Sequence, residues 1–91
     1  MLVPREGVRR CVLEILQTFG SGDEVAIIDE ATDPLAGLGL LSDDGIDFAC
    51  EISARLGFHF PDDRNPFVDD SGRRSRRVGE IIDMILPMLP R

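Results

Sequence analysis

The stretch that decides the fold covers residues 42–57 and reads SDDGIDFACEISARLG. Its apolar residues recur at three- and four-residue spacing, which predicts an amphipathic helix with one buried stripe. The residues of that stripe are Ile46, Ala49, Ile52 and Leu56. Ser42 is predicted as the N-cap, because its hydroxyl can accept a hydrogen bond from a first-turn N–H group. Gly57 is predicted to end the helix in the left-handed conformation.

Toward the N-terminus, a second amphipathic helix is predicted over about residues 4–19, where apolar residues recur at the same spacing. Glycines at positions 20 and 22 should end this helix. The connection over residues 23–41 is long and contains a short apolar run at 25–28. A strand is one interpretation of that run, but no second strand is obvious to pair with it. An ordered loop that covers the helical core is therefore preferred.

Toward the C-terminus, residues 58–74 are rich in turn-forming residues, and a short helix is an option near residues 66–70. Ser75 is predicted as the N-cap of a last helix. The apolar stripe of that helix comprises Val78, Ile81, Ile82, Ile85 and Leu86. These elements together predict an all-α fold, a small four-helix bundle with a long loop between helices 1 and 2. The 91 residues are expected to form a single domain, residues 1–91.

Composition narrows the functional classes. The chain carries 17 acidic and 10 basic residues, a formal net charge of −7, which argues against binding to nucleic acid. No apolar run approaches the roughly 20 residues that span a bilayer, and no secretory signal is visible, so no membrane contact and a cytoplasmic location are expected. A monomer is the expected state for a small acidic bundle.

Cysteine and histidine give little sign of chemistry. Cys11 and Cys50 lie within apolar periodic segments, so both are interpreted as small buried hydrophobic residues. Their spacing fits no zinc motif, and no metal site is expected. His59 is the only histidine, and nothing in the sequence supplies it with a nucleophile and an orienting acid. A structural role is preferred for His59, and no catalytic residue is predicted.

Three segments, in this order, resemble the acyl and peptidyl carrier protein family. Residues 38–42, LGLLS, resemble the Leu-Gly-x-Asp-Ser motif at the start of the family's second helix. Residues 56–61, LGFHFP, resemble the Phe-Gly-Ile-x-Ile-Pro segment that ends it. Residues 78–85, VGEIIDMI, resemble the opening of the last helix. The resemblance covers roughly residues 30–86 and places Ser42 on the family's modified serine.

The resemblance implies a carrier that performs no chemistry of its own. Its cofactor would be a 4′-phosphopantetheine arm, transferred from coenzyme A to Ser42 by a separate magnesium-dependent phosphopantetheinyl transferase. Acyl intermediates of fatty-acid, polyketide or related biosynthesis would be held on that arm as thioesters. Partners would be acyl-transferring or condensing enzymes with basic docking patches. The acidic residues expected to meet those patches are Asp43, Asp44, Asp47 and Glu51.

Two alternatives stay open beside these interpretations. The family has Asp before the serine and Leu after it, whereas this chain has Leu41 and Asp43, so a carrier-fold interaction module without an arm is the alternative function. The cluster of Arg73, Arg74, Arg76 and Arg77 surrounds the predicted start of a helix, where positive charge is unfavourable. Compensation by nearby acids is the preferred explanation, and contact with a phosphate or with coenzyme A is the other.

Overall fold

A computed structural model describes residues 5–19 and 27–89. Within those residues the fold is all-α, as predicted, with three α-helices: α1 (Arg5–Phe19), α2 (Asp44–Leu56) and α3 (Val78–Ile85). A 3-10 turn, Leu86–Met88, extends α3. The four-helix prediction is wrong for the described chain, because residues 66–70 form a turn rather than a helix. Val68 in that segment instead pairs with Ser75 in an isolated antiparallel bridge.

The core lies between α1 and the other two helices, which both pack against it. Helix α1 agrees with its predicted bounds, although Pro4 and residues 20–22, the predicted helix end, lie outside the described residues. The side chains that α1 buries are Val8, Val12, Ile15 and Leu16. Together with the apolar side chains of α2, α3 and the loops, they form one continuous hydrophobic cluster.

The predicted buried stripe of α2 is confirmed for Ile52, Ala49 and Leu56, which are buried or packed against the core, and is wrong for Ile46. Ile46 is 61% exposed, whereas Phe48 and Ile52 are fully buried. The Phe48 ring packs against Phe67, with ring centroids 5.3 Å apart. Apolar residues occur on two overlapping stripes of this helix, and burial of the large Phe48 side chain removes the most apolar area from water. The end of α2 was predicted correctly, since Gly57 has φ 70° and its N–H donates to the Ser53 carbonyl.

The loop over residues 27–41 positions the start of α3. The N–H groups of Val78 and Gly79 donate to the carbonyls of Thr32 and Glu30, at 2.8 and 2.9 Å. These bonds satisfy donors that a helix N-terminus leaves free. Residues 27 and 28 form no strand, as the preferred interpretation expected, while residues 25 and 26 lie outside the described residues.

Ser75 does not cap the last helix, which begins three residues later at Val78. The Ser75 hydroxyl instead bonds the carboxylate of Asp33 in the long loop. Partial burial raises the pKa of Asp33, but the hydrogen bonds from this hydroxyl and from two backbone N–H groups outweigh it and lower the pKa below its usual value. The capping acceptor of α3 is Glu80, which accepts from the Arg77 N–H at 3.1 Å.

The two cysteines differ in exposure. Cys11 is half-buried on α1, whereas Cys50 is exposed on α2, so the prediction that both are buried is wrong. Cys50 lies about one helical turn after Ile46, which is exposed as well. None of the described helices is both long and apolar enough to cross a membrane.

Candidate functional site

Ser42 lies in the turn that leads into α2, and its side chain is exposed. The helix begins at Asp44 and its N-cap is Asp43, so the prediction that Ser42 caps the helix is wrong. The Asp43 side chain makes no capping hydrogen bond, and the carboxylate of Asp44 accepts from the N–H of Leu41, which precedes the helix, at 2.8 Å. The Ser42 hydroxyl has no hydrogen-bond partner among the described residues, and the residue is exposed to solvent.

The backbone around Ser42 is a tight turn. The N–H groups of Asp44 and Gly45 donate to the carbonyls of Leu41 and Ser42, both at 3.0 Å. Such i to i+3 bonds are typical of a 3-10 turn at the start of an α-helix. The N–H groups of Ser42 and Asp43 find no acceptor in the described part of the chain. Two backbone donors are therefore free beside the Ser42 hydroxyl, at the positive end of the α2 dipole.

A single amide connects this turn to the core. The Asn65 side-chain amide donates to the Ser42 carbonyl at 2.8 Å, and its oxygen accepts from the Phe67 N–H at 2.8 Å. We call this pair of hydrogen bonds the Asn65 bridge. Sequence reasoning missed Asn65, which is 23 residues from Ser42. The available signal was Gly45, since a glycine inside a helical pattern often has a packing reason.

Apolar side chains lie on both sides of Ser42 at the surface. Leu41 is 69% exposed and Ile46 is 61% exposed, both large fractions for such residues. Ile46 also borders a half-open cleft of about 350 Å³ between α2 and the segment that follows it. The cleft is lined by Ile46, Ala49, Cys50, Ser53, His59, Phe60, Pro61, Asp62 and Arg64. The surface next to Ser42 is therefore apolar, with an adjoining concavity.

The predicted recognition acids separate into two groups. Asp43, Asp47 and Glu51 are exposed on the turn and helix that also carry the exposed Leu41 and Ile46, which we call the apolar pair. Asp44 is half-buried, and its carboxylate is engaged in the turn. Glu51 lies 4.0 Å from Arg55, an exposed pair of the kind that contributes little to stability.

The arginine cluster is largely compensated within the chain. Arg74 lies 3.0 Å from Glu80 and 3.7 Å from Asp69, and the buried Arg76 lies 3.1 Å from Asp70. The Arg77 guanidinium donates to the backbone carbonyl of Ala31 at 2.7 Å. Compensation by nearby acids is therefore supported for Arg74 and Arg76, whereas Arg77 is held by a backbone carbonyl.

Asp69, one of the acidic partners of these arginines, is held by hydrogen bonds of its own. The pKa of Asp69 is lowered, chiefly by the hydrogen bond from the Ser71 hydroxyl and then by backbone donors and Arg74, against a smaller desolvation effect. A low pKa keeps Asp69 charged beside the arginines. The Asp69–Ser71 turn is thus a structural feature that holds the loop before α3.

His59 is the histidine for which the sequence predicted a structural role. It is exposed on the border of the cleft, and no hydrogen bond or ion pair joins its side chain to another described residue. The same part of the chain holds no group of three or more His, Cys, Asp or Glu side chains placed to bind a metal ion.

Comparison with known proteins assigns no family to this chain. No family model, no curated protein and no solved structure matches the chain.

Proposed function

We propose that this chain is a carrier protein of the acyl and peptidyl carrier type, with a 4′-phosphopantetheine arm on Ser42. The observation that carries the proposal is the state of the Ser42 hydroxyl, which is exposed and without a partner in the described residues, in the turn that opens α2. An alcohol that caps no helix is available for a phosphodiester bond without loss of a structural hydrogen bond.

The surroundings of Ser42 suit a phosphate group. The free N–H groups of Ser42 and Asp43 can donate to phosphate oxygens, and the helix dipole favours negative charge at this end. Helix α2 has 13 residues, enough for a substantial dipole. The carboxylate of Asp43 opposes this attraction, so the modified serine would keep its arm extended into solvent, where a carrier needs it.

The surface around Ser42 suits a protein partner with an apolar centre and a basic rim. Leu41 and Ile46 would supply the apolar contact, since exposed apolar residues in contact with a partner lose their hydration. Asp43, Asp47 and Glu51 would steer the encounter with basic patches of a transferase or a condensing enzyme. Asp44 would act chiefly through the turn that it stabilises.

The proposed role is the delivery of thioester-bound acyl groups in fatty-acid, polyketide or related biosynthesis. A flexible arm raises the effective concentration of its cargo at each partner's active site, which is the physical advantage of a carrier. The carrier would need no catalytic residue of its own, and a cytoplasmic monomer would fulfil the role.

A second candidate function is an interaction module without an arm. The observation that favours it is the 69% exposure of Leu41 directly before Ser42, where the carrier family has an aspartate. In this role the apolar pair and the acidic rim would bind a partner, and Ser42 would stay unmodified.

Intact-protein mass spectrometry distinguishes the two functions. The chain is incubated with coenzyme A, magnesium and a broad-specificity phosphopantetheinyl transferase, beside Ser42→Ala and the matched control Ser71→Ala, an exposed serine in another turn. A mass gain of one phosphopantetheine in the wild type and Ser71→Ala, absent in Ser42→Ala, supports the carrier. No gain in the wild type with several transferases favours the interaction module, whereas a gain that persists in Ser42→Ala would place the arm on another residue and contradict the assignment of Ser42.

A further inference from the structure

The Ser42 carbonyl accepts two hydrogen bonds from different parts of the chain. One comes from the N–H of Gly45 within the turn, at 3.0 Å, and the other from the Asn65 amide, at 2.8 Å. The first belongs to the local backbone pattern. The second is long-range and fixes the peptide unit that follows the Ser42 side chain.

The other end of the Asn65 bridge is anchored in the core. The Asn65 oxygen accepts from the N–H of Phe67, a residue with no exposed surface. The Phe67 ring contacts Phe48 of α2, the same helix that Ser42 precedes. Helix α2 and the Ser42 turn are therefore held by the same short segment, one through apolar packing and the other through an amide.

Gly45 provides the space that this arrangement needs. A Cβ atom at position 45 would lie 2.9 Å from Cγ of Asn65 and closer still to its Oδ1. Glycine in a helix is less favourable than alanine by about 1 kcal/mol. The lack of a side chain at position 45 therefore allows the Asn65 side chain to contact the backbone of the first turn of α2.

We propose that Asn65 is a positioning residue for the modification of Ser42, acting through the Ser42 carbonyl with Gly45 as its steric partner. The inference rests on the proposed carrier function. In the transfer, Ser42 Oγ forms a bond to the phosphorus of coenzyme A that bears the pantetheine, and the pyrophosphate bond breaks. The adenosine bisphosphate leaves with the bridging oxygen, and the hydroxyl proton passes to a base of the transferase or to solvent.

The Asn65 bridge matters because Ser42 Oγ must approach that phosphorus in line with the oxygen that leaves. The Ser42 side chain makes no hydrogen bond of its own to the described chain, so its backbone fixes the position of Cβ, from which the hydroxyl samples its rotamers. Loss of the amide donor would free that backbone while the apolar and acidic docking surface stays in place. The position of the reacting hydroxyl would then become less defined, while binding of the transferase would be unchanged.

Two variants remove the donor and keep the acceptor for the Phe67 N–H. Asn65→Asp has an oxygen in place of the amide nitrogen, and Asn65→Ser has a side chain too short to reach the Ser42 carbonyl. They differ in charge, so an effect common to both is not electrostatic. Ser75→Ala is the matched control, since it removes the hydrogen bond to Asp33 elsewhere in the fold.

The measurement is the steady-state rate of phosphopantetheine transfer against carrier concentration, by intact mass, with folding of each variant checked by circular dichroism at the assay temperature. We expect kcat to fall by about tenfold or more in both Asn65 variants with KM unchanged, because misplacement of a reacting group by about 1 Å is that costly. Ser75→Ala should match the wild type in both constants.

Wild-type kcat in both Asn65 variants would overturn the positioning role while leaving the carrier function in place. An equal fall of kcat in Ser75→Ala would overturn it too, since general loosening would then explain the effect. An unmodified wild type would overturn the carrier function and this inference together. Should the Asn65 variants fail to fold, Gly45→Ala, which displaces the same amide, is expected to show the same selective loss of kcat.

Discussion

The contact between Gly45 and Asn65 predicts an unusual response to a helix-favouring substitution. Gly45→Ala should stabilise a helix by about 1 kcal/mol through backbone propensity alone. Here the added methyl group would displace the Asn65 side chain and break both hydrogen bonds of the Asn65 bridge. Each such bond contributes about 0.5–1.5 kcal/mol, so roughly 2 kcal/mol is lost and the variant is less stable by about 1 kcal/mol.

The sign of this effect should reverse when Asn65 is truncated. In an Asn65→Ala background the methyl group at position 45 meets no amide, and Gly45→Ala should stabilise the chain by about 1 kcal/mol. The coupling energy between the two positions is therefore about 2 kcal/mol, well above the usual error of additivity. In a domain of this size 1 kcal/mol corresponds to a shift of roughly 4–8 °C in Tm.

Urea unfolding followed by far-UV circular dichroism measures all four corners of this double-mutant cycle, since the chain has no Trp or Tyr for fluorescence. The four proteins should share one m value, so that differences in midpoint report stability alone. If Gly45→Ala stabilises the wild type as much as it stabilises the Asn65→Ala variant, the steric argument is refuted.

Three further predictions concern packing, pH and thiol chemistry. Phe48→Ala should destabilise the chain by about 3–5 kcal/mol in urea unfolding and Ile46→Ala by less than about 0.5 kcal/mol; similar losses would contradict the burial of Phe48 and the exposure of Ile46. The pKa of Asp33 is lower in the folded state than in the unfolded state, where it is about 3.9. The ionised carboxylate therefore stabilises the fold fully at a pH above the unfolded-state pKa, and this contribution is lost as the pH falls through the folded-state pKa. Asp33→Asn should therefore be less stable than the wild type at pH 7 and equal to it in strong acid; a constant difference in thermal unfolding across that range would count against the assignment. Cys50 should react with a thiol reagent faster than Cys11, with Cys50→Ser removing the fast phase; a single slow phase in the wild type would show that Cys50 is shielded.

Local signals in the sequence predicted the elements whose causes are local. The apolar spacing of α1 and the left-handed Gly57 depend on neighbours within about one turn, and both were predicted. The exposure of Ile46 and the burial of Phe48 were not, because each residue belongs to an apolar stripe and only the rest of the fold selects between them. Tertiary context overrides such local ambiguity.

The two predicted serine caps failed for a related reason. At the start of α2 a 3-10 turn places the N-cap at Asp43, one residue beyond Ser42, so Ser42 caps no helix donor. At the start of α3 the hydroxyl of Ser75 bonds Asp33, which is 42 residues away, and no local pattern reveals such a partner. The candidate site at Ser42 is a prediction from its motif, whereas Asn65 depends on a contact that only the folded chain creates.

The loop carbonyls that receive the first N–H groups of α3 have a consequence for the order of folding. An isolated helix shorter than about 12–15 residues is marginal in water, and α3 has eight. Its first turn is completed by the loop around Thr32, and the nearby bond from Arg77 to Ala31 closes 46 residues of chain. Closure over such a separation is slow compared with helix formation. Helices α1 and α2 should therefore form first, and α3 should form only after the long loop has docked. The docked loop then supplies the acceptors that the first turn of the last helix needs for its nucleation.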